Sequence, residues 1–219
     1  MGVAVLVLGT SGSGKSASMR NFNEQDVGVF NVASKPFPFR NVNKIKKVDE
    51  STYETIRAGI KSGGRLSYVI DDSQYLMAFE SFDKCAESGF GKWTILAKNF
   101  EELVRAVPKE TSPDTIIYFN HHIDIDENGV IKPKTLGKML DQQLDLCGLF
   151  TVVLLAKNDG TGYKFLTQND GTHPAKTPMG MFDSVEIDND LKYVDTVIRE
   201  YYGLKPQPAA KKEKGDTAK

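Results

Sequence analysis

The sequence predicts an α/β fold: a mainly parallel sheet flanked by helices, with a β-hairpin toward the C-terminal end. Three observations predict it. Short, continuous apolar runs rich in β-branched residues recur at 3–8, 27–32, 66–70, 115–119 and 150–155, and such runs read as strands buried on both faces. Helical patterns separate several of them, and strands that alternate with helices build parallel sheets. Finally, the turn-forming stretch Asn158-Asp159-Gly160-Thr161-Gly162 is followed by another strand-like run, which predicts a hairpin over 150–167.

Beyond the segment that follows the first strand, four helices are expected. The one over 51–61 opens on Ser51 with Glu54 three residues later, the capping-box spacing. The one over 93–107 places Ile95, Leu96, Phe100, Leu103, Val104 and Val107 at helical spacing and is expected to stop before Pro108. A third is expected over 136–146, and a last over 191–202, ending at Gly203. Residues 1–204 are expected to form one domain and 205–219 a disordered tail, because 207–219 carry four lysines, one Glu, one Asp and little to bury.

Composition narrows the class. The 219 residues, 40% hydrophobic and 26% charged, can bury a core without disulfides or structural metal. Cys85 and Cys147 read as reduced thiols in packing positions. A net charge of −1 argues against a globally basic, duplex-gripping surface and leaves room for a local groove. No run reaches the length of a membrane span and the N-terminus has no basic leader, so a cytoplasmic protein without a membrane partner is expected.

The chemistry starts where the first strand ends. Gly9-Thr10-Ser11-Gly12-Ser13-Gly14-Lys15-Ser16 fits G-x-x-x-x-G-K-[ST] in full, and a helix can continue from Ala17 to Phe22. Glycines let the backbone wrap around phosphate with its N–H groups inward, and a helix N-terminus favours the negative charge. Residues 9–17 are therefore the expected nucleotide-binding segment, with ATP and Mg²⁺ as ligands. Lys15 would reach the β- and γ-phosphates and Ser16 would ligate Mg²⁺.

A second apolar strand delivers Asp71 and Asp72 at its C-terminal end, where sheet ligand sites lie. Asp71 is the expected metal residue, directly or through water, and Asp72 is expected to orient or deprotonate the attacking water. Asp-Asp-Ser is also good helix-capping chemistry, and the two roles are compatible. A third strand ends in Asn120-His121-His122. Asn120 or His121 is the expected sensor of the γ-phosphate or attacking water. A metal site built on both histidines ranks lower, because neighbouring strand residues point to opposite faces.

These segments, with a later Ala175-Lys176-Thr177-Pro178-Met179-Gly180-Met181, occur in an order that resembles the phage RecA-like ATPases of the Sak single-strand-annealing type, small relatives of the RecA recombinase core. The resemblance covers 1–203. It implies a RecA-like P-loop NTPase core and ATP hydrolysis. It further implies binding of single-stranded DNA, with annealing or strand exchange beside a single-strand-binding protein. A homo-oligomeric ring or filament with ATP between subunits follows from it, in the host cytoplasm if the chain is phage-encoded. Two DNA loops are implied, one containing Phe90, Lys92 and Trp93, the other Lys132 and Lys134; stacking aromatics and phosphate-binding lysines suit that role. Trp93 and Phe90 have a second reading, as core anchors of the next helix, and Asp124, Asp126 and Glu127 oppose DNA in the second loop. Lys176 is implied as a lysine finger, in its own subunit or a neighbour's. One departure from RecA matters. No acid lies near the end of the strand over 29–35, where RecA carries its catalytic glutamate, and this moves water activation to Asp72.

Three other functions share the loop. A small-molecule kinase usually closes an arginine-rich lid, yet none of the six arginines lies between Arg105 and Arg199. For a non-catalytic nucleotide switch or assembly factor, the intact Lys15, Ser16, Asp71 and Asp72 argue against lost nucleotide binding and leave turnover open. A larger motor or assembly ATPase needs added domains, for which the chain has little room.

Overall fold

In chain order the strands are β1 (Val3–Gly9), β2 (Val27–Asn31), β3 (Lys46–Asp49), β4 (Ser67–Asp71), β5 (Ile116–Ile125), β6 (Ile131–Pro133), β7 (Val152–Asn158), β8 (Tyr163–Leu166) and β9 (Glu186–Asp188). The helices are α1 (Tyr53–Ser62), α2 (Gln74–Asp83), α3 (Gly91–Glu110) and α4 (Leu191–Tyr202). They belong to a computed structural model that describes residues 1–40, 44–86, 91–136, 140 and 144–208. The strand order is β3-β2-β4-β5-β1-β7-β8-β9, with β6 paired to β5. The six strands from β3 to β7 are mutually parallel. Strands β8 and β9 add on antiparallel, β8 completing the hairpin expected from the turn at 158–162.

Alternation along the buried strands sends side chains to two cores. Leu6, Leu8, Ile70, Ile117 and Phe119 pack with Ile56 and Ile60 of α1, Met77 of α2 and Phe100 and Leu103 of α3. Val5, Val7, Val69 and Tyr118 pack with Met19, Phe22 and, from α4, Leu191, Val194 and Ile198. Both faces are covered, as a parallel sheet requires.

Several boundaries differ from expectation. Helix α1 is capped one residue later: the Thr52 side chain accepts from Thr55 N–H while the Thr55 hydroxyl accepts from Thr52 N–H, and Ser51 instead donates to Val48 O. Helix α3 passes through Pro108 to Glu110. A proline so close to the end removes a single helical bond, and Thr111 Oγ1 donates to Val107 O beside it. Strand β5 runs six residues past Phe119, because β6 pairs with its far half. The helix expected over 136–146 falls mostly outside the described residues, and Leu146–Leu149 form a 3-10 turn.

The C-terminal segment is tied in beyond 204. All five N–H donors of buried Arg199 are used: by Asp195 Oδ1, the carbonyls of Asp114, Lys205 and Leu66, and Ser67 Oγ. Asp195 also accepts from Ser67 Oγ and from Gln207 Nε2. Residues 205–207 are thus anchored across the lower ends of β4 and β5, which moves the domain boundary C-terminal of 204. The rest of the expected tail, 209–219, lies outside the described residues. Asp195→Ala leaves Arg199 buried without its counter-charge, and urea unfolding is expected to show a loss of about 3–5 kcal/mol; a loss near 0.5 kcal/mol, the scale of surface substitutions, contradicts this role for the pair.

Candidate functional site

Strand β1 delivers Gly9 to the sheet edge, where the chain doubles back. A Cβ at Gly9 would stand 2.3 Å from Ser13 Oγ and 2.9 Å from Ala156 O, so only glycine lets the loop fold this tightly. Gly14 has φ +102, and a Cβ there would meet the Tyr163 ring at 2.7 Å. Lys15 turns inward, its ammonium donating to Gly9 O and Thr10 O at 2.8 Å each. Burial pulls its pKa down to about 8, against the pull of Asp72 and Asp71. The helix expected from Ala17 to Phe22 is only a 3-10 turn, Ser16–Asn21. The chain must return to the start of parallel β2 at Val27, and it does so with Phe22 extended and buried. A six-residue turn contributes little macrodipole, so the loop's attraction for anions rests on its backbone and on Lys15.

Strand order places β5 between β1 and β4, so Asn120 stands between the glycine loop and Asp71. Asp71 Oδ1 accepts from Ser16 Oγ at 2.9 Å and from Asn120 Nδ2 at 2.7 Å. Burial nonetheless holds the Asp71 carboxyl above its usual pKa, with the Asp72 charge adding to the rise. Asn120 Oδ1, an acceptor, and the Ser13 hydroxyl are buried without a hydrogen-bond partner among the described residues.

Asp72 follows with φ +60, a left-handed conformation that aspartate tolerates better than most residues. This turns its carboxylate over the strand ends. Oδ2 lies 2.5 Å from Lys35 Nζ and Oδ1 lies 3.3 Å from His122 Nε2. Burial raises its pKa, but the His122 hydrogen bond and Lys35 outweigh burial and hold it below the usual value. A cleft of about 330 Å³ opens between the loop, Asp71, Asp72, Lys35 and Tyr163. A larger cavity, about 690 Å³, lies between α1, α2 and α3 and is ringed by Glu50, Glu54, Asp83 and Glu102. With Arg57 and Lys84 its only cationic lining among the described residues against these carboxylates, that cavity suits an anion less well than the smaller cleft, which Lys15 and Lys35 line; the smaller cleft is the candidate anion site.

No family model and no curated protein matches the chain. The reading therefore rests on geometry. The structure brings together Gly9, Thr10, Ser11, Gly12, Ser13, Gly14, Lys15, Ser16, Ala17, Asp71, Asp72 and Asn120. It places His121 elsewhere. Residues on one face of β5 are Tyr118, Asn120 and His122, so His121 points to the opposite face, edge-on to Phe100. Its Nε2 donates to Lys134 O at 2.7 Å and its Nδ1 accepts from Ser73 Oγ at 2.9 Å. His121 pins the β6 segment and α2 in place and faces no phosphate. His122 and Lys35, which sequence reasoning did not single out as site residues, hold Asp72 instead. No local sequence signal marks Lys35: its place follows from Asn31, four residues earlier, pairing in register with Asp71.

Lys176 also lies outside its own chain's site. It pairs with Val153, low on β7, and its charge is felt at Cys147, whose thiol burial pushes up to about 12. Of the residues implied for DNA, Phe90 lies outside the described residues. Trp93 is 37% exposed, outside the buried core clusters, and Lys92 Nζ stands 5.1 Å from the ring centroid. Lys132 lies on β6 and Lys134 just past its end, where it pairs with Asp124 at 3.4 Å.

The donor set fits a magnesium–triphosphate ligand. Among the described residues no group of three or more His, Cys, Asp or Glu could hold a metal alone. Mg²⁺ bound with phosphates needs only one or two protein oxygens, and Ser16 and Asp71 would be the residues to hold it. When bound, the ion would neutralise charge on the phosphates and on buried Asp71.

Burial depresses the His121 pKa to about 4 from 6.5. Between those values the unfolded chain binds the extra proton, so stability is expected to fall as pH drops from 6.5 to 4, by about 3 kcal/mol at most. Denaturant titrations across that range should show a shallower decline in His121→Gln than in the unaltered protein; equal slopes contradict a buried, neutral ring.

Proposed function

We propose that the chain binds ATP with Mg²⁺ at the glycine loop, hydrolyses it, and uses the cycle to bind single-stranded DNA and promote annealing or strand exchange. The observation that carries the nucleotide part is the convergence at one sheet edge of the loop, buried Lys15, and the Ser16–Asp71–Asn120 hydrogen bonds. Lys15 would move from its own loop carbonyls to the phosphates, and the loop N–H groups would take the remaining oxygens. Asn120 Oδ1, a buried acceptor without a hydrogen-bond partner among the described residues, would receive a hydrogen bond from the attacking water or from a water on the ion. Asp72, kept ionised, would orient that water as it adds to the terminal phosphorus and the bridging oxygen leaves with its electron pair.

The DNA part draws on the resemblance to the Sak-type ATPases and on the half-exposed Trp93 with Lys92 above it, a pairing suited to stacking a base beside a phosphate. Lys132 and Lys134 on the β5–β6 ribbon would supply further backbone contacts. Affinity resting on such contacts should fall with salt. A single-strand-binding protein is the proposed partner on DNA. Lys176, on the flank of the molecule, fits a role toward a neighbouring subunit in a ring or filament.

Steady-state ATP hydrolysis with and without single-stranded DNA tests this, with Lys15→Ala as the blank. Stimulation by single strands of about tenfold or more, with little by duplex, is expected. Hydrolysis indifferent to DNA sinks the recombination reading in favour of a motor or assembly ATPase, and transfer of phosphate to a small acceptor points to a kinase.

A further inference from the structure

We propose that Lys35 is a terminal-phosphate sensor: its ammonium neutralises Asp72 until a triphosphate is bound, then moves to the terminal phosphate and releases Asp72 to take the attacking water. The assignment rests on the nucleotide reading above. Three observations lead to it.

The first is a fixed base with a free end. The Lys35 carbonyl accepts from Asn31 Nδ2 at 2.8 Å, just after Ser34 turns the chain at φ +54. Its side chain remains 57% exposed at the mouth of the phosphate cleft. Among the described residues two contacts hold the ammonium there, Asp72 Oδ2 at 2.5 Å and the face of Tyr75 at 5.7 Å from the centroid. The lysine end of the pair is open to solvent and can swing away, whereas Asp72, 3% exposed, would keep only His122 and must then take a new donor, which the attacking water supplies.

The second is unbalanced positive charge facing the cleft. Lys15 and Lys35 are close enough that the Lys35 charge lowers the Lys15 pKa. The two ammonium groups approach from opposite walls, the glycine loop on one side and the segment after β2 on the other. An anion reaching from the loop toward the second wall satisfies both.

The third concerns Asp72. One of its oxygens faces Lys35 and the other faces His122. The ammonium stands over Oδ2, a buried oxygen that accepts no aligned hydrogen bond among the described residues, and occupies the approach a water would take to it. Moving Lys35 frees Oδ2 while His122 continues to hold the carboxylate in orientation. One displacement thus adds a cation to the terminal phosphate and unmasks the water-orienting group, so a triphosphate would be told from a diphosphate by the phosphate that reacts.

Equilibrium binding of fluorescent ADP and of a fluorescent, non-hydrolysable ATP analogue, with Mg²⁺, tests this in the unaltered protein, Lys35→Ala and Lys35→Arg. The expected result is a loss of about tenfold in affinity for the triphosphate in Lys35→Ala, the scale of one charge-assisted hydrogen bond, with ADP affinity nearly unchanged and Lys35→Arg recovering most of the loss. Equal effects on both nucleotides, or on neither, overturn the assignment and leave Lys35 a surface partner of Asp72. Failure of the unaltered protein to bind either nucleotide overturns the nucleotide reading and this assignment with it.

Discussion

The carboxylate of Asp71 ties three segments of chain at one point. It ends β4, accepts from Asn120 at the level where β5 leaves the core, and accepts from Ser16 just past the glycine loop. These segments are 49 and 55 residues away from it in sequence. Their meeting depends on the parallel sheet placing β5 between β1 and β4. The backbone repeats the tie, since Ser73 N–H donates to Asn120 O at 2.8 Å. A buried carboxylate is costly unless its lone pairs are used. Here two donors hold one oxygen in place, and the whole edge inherits that order.

Around this point the charges are arranged so that none is fully satisfied by the protein alone. Lys15 is buried against carbonyl oxygens and its pKa is pulled down to about 8. Asp71 is pushed the other way by the same lack of solvent. Asp72 is kept ionised by Lys35 and His122. Opposed shifts in neighbouring groups of one cleft are a common mark of a site prepared for a charged ligand. A polyphosphate with a divalent cation would relieve both buried charges, the cation at Asp71 and the phosphates at Lys15.

Much of the fold was legible because its strands are apolar on both faces. Strands β1, β2, β4, β5 and β7 each stand out as an uninterrupted apolar run, and the turn at 158–162 announces β8. What stayed hidden lacks that signature. Strand β3, Lys46-Lys47-Val48-Asp49, is exposed along its length at the sheet edge and reads as loop. Because it was invisible, so was the reason Ser51 reaches back to Val48 and leaves the capping to Thr52. In the site, the glycine loop and Asp71 could be found from spacing, since each is local. Lys35 could not, because its partner Asp72 is 37 residues away and the pairing depends on how β2 lies beside β4. His121 and His122 are equivalent in sequence; only the pleat, which sends Asn120 and His122 to one face and His121 to the other, decides which meets Asp72. Arg199 and Asp195 were equally silent, an i,i+4 pair on an amphipathic helix that turns out to face inward.

The central claim is that this edge binds a magnesium triphosphate through Lys15 and Asp71. Calorimetric titration with ATP, with Mg²⁺ and then with a chelator, tests it most directly, alongside Lys15→Ala and Asp71→Asn. The account predicts one site per chain. Lys15→Ala should weaken it by about 100-fold, as the loss of a buried charge-assisted contact implies. Asp71→Asn should remove most of its dependence on Mg²⁺. Binding that is absent, or that survives both substitutions unchanged, would contradict the account.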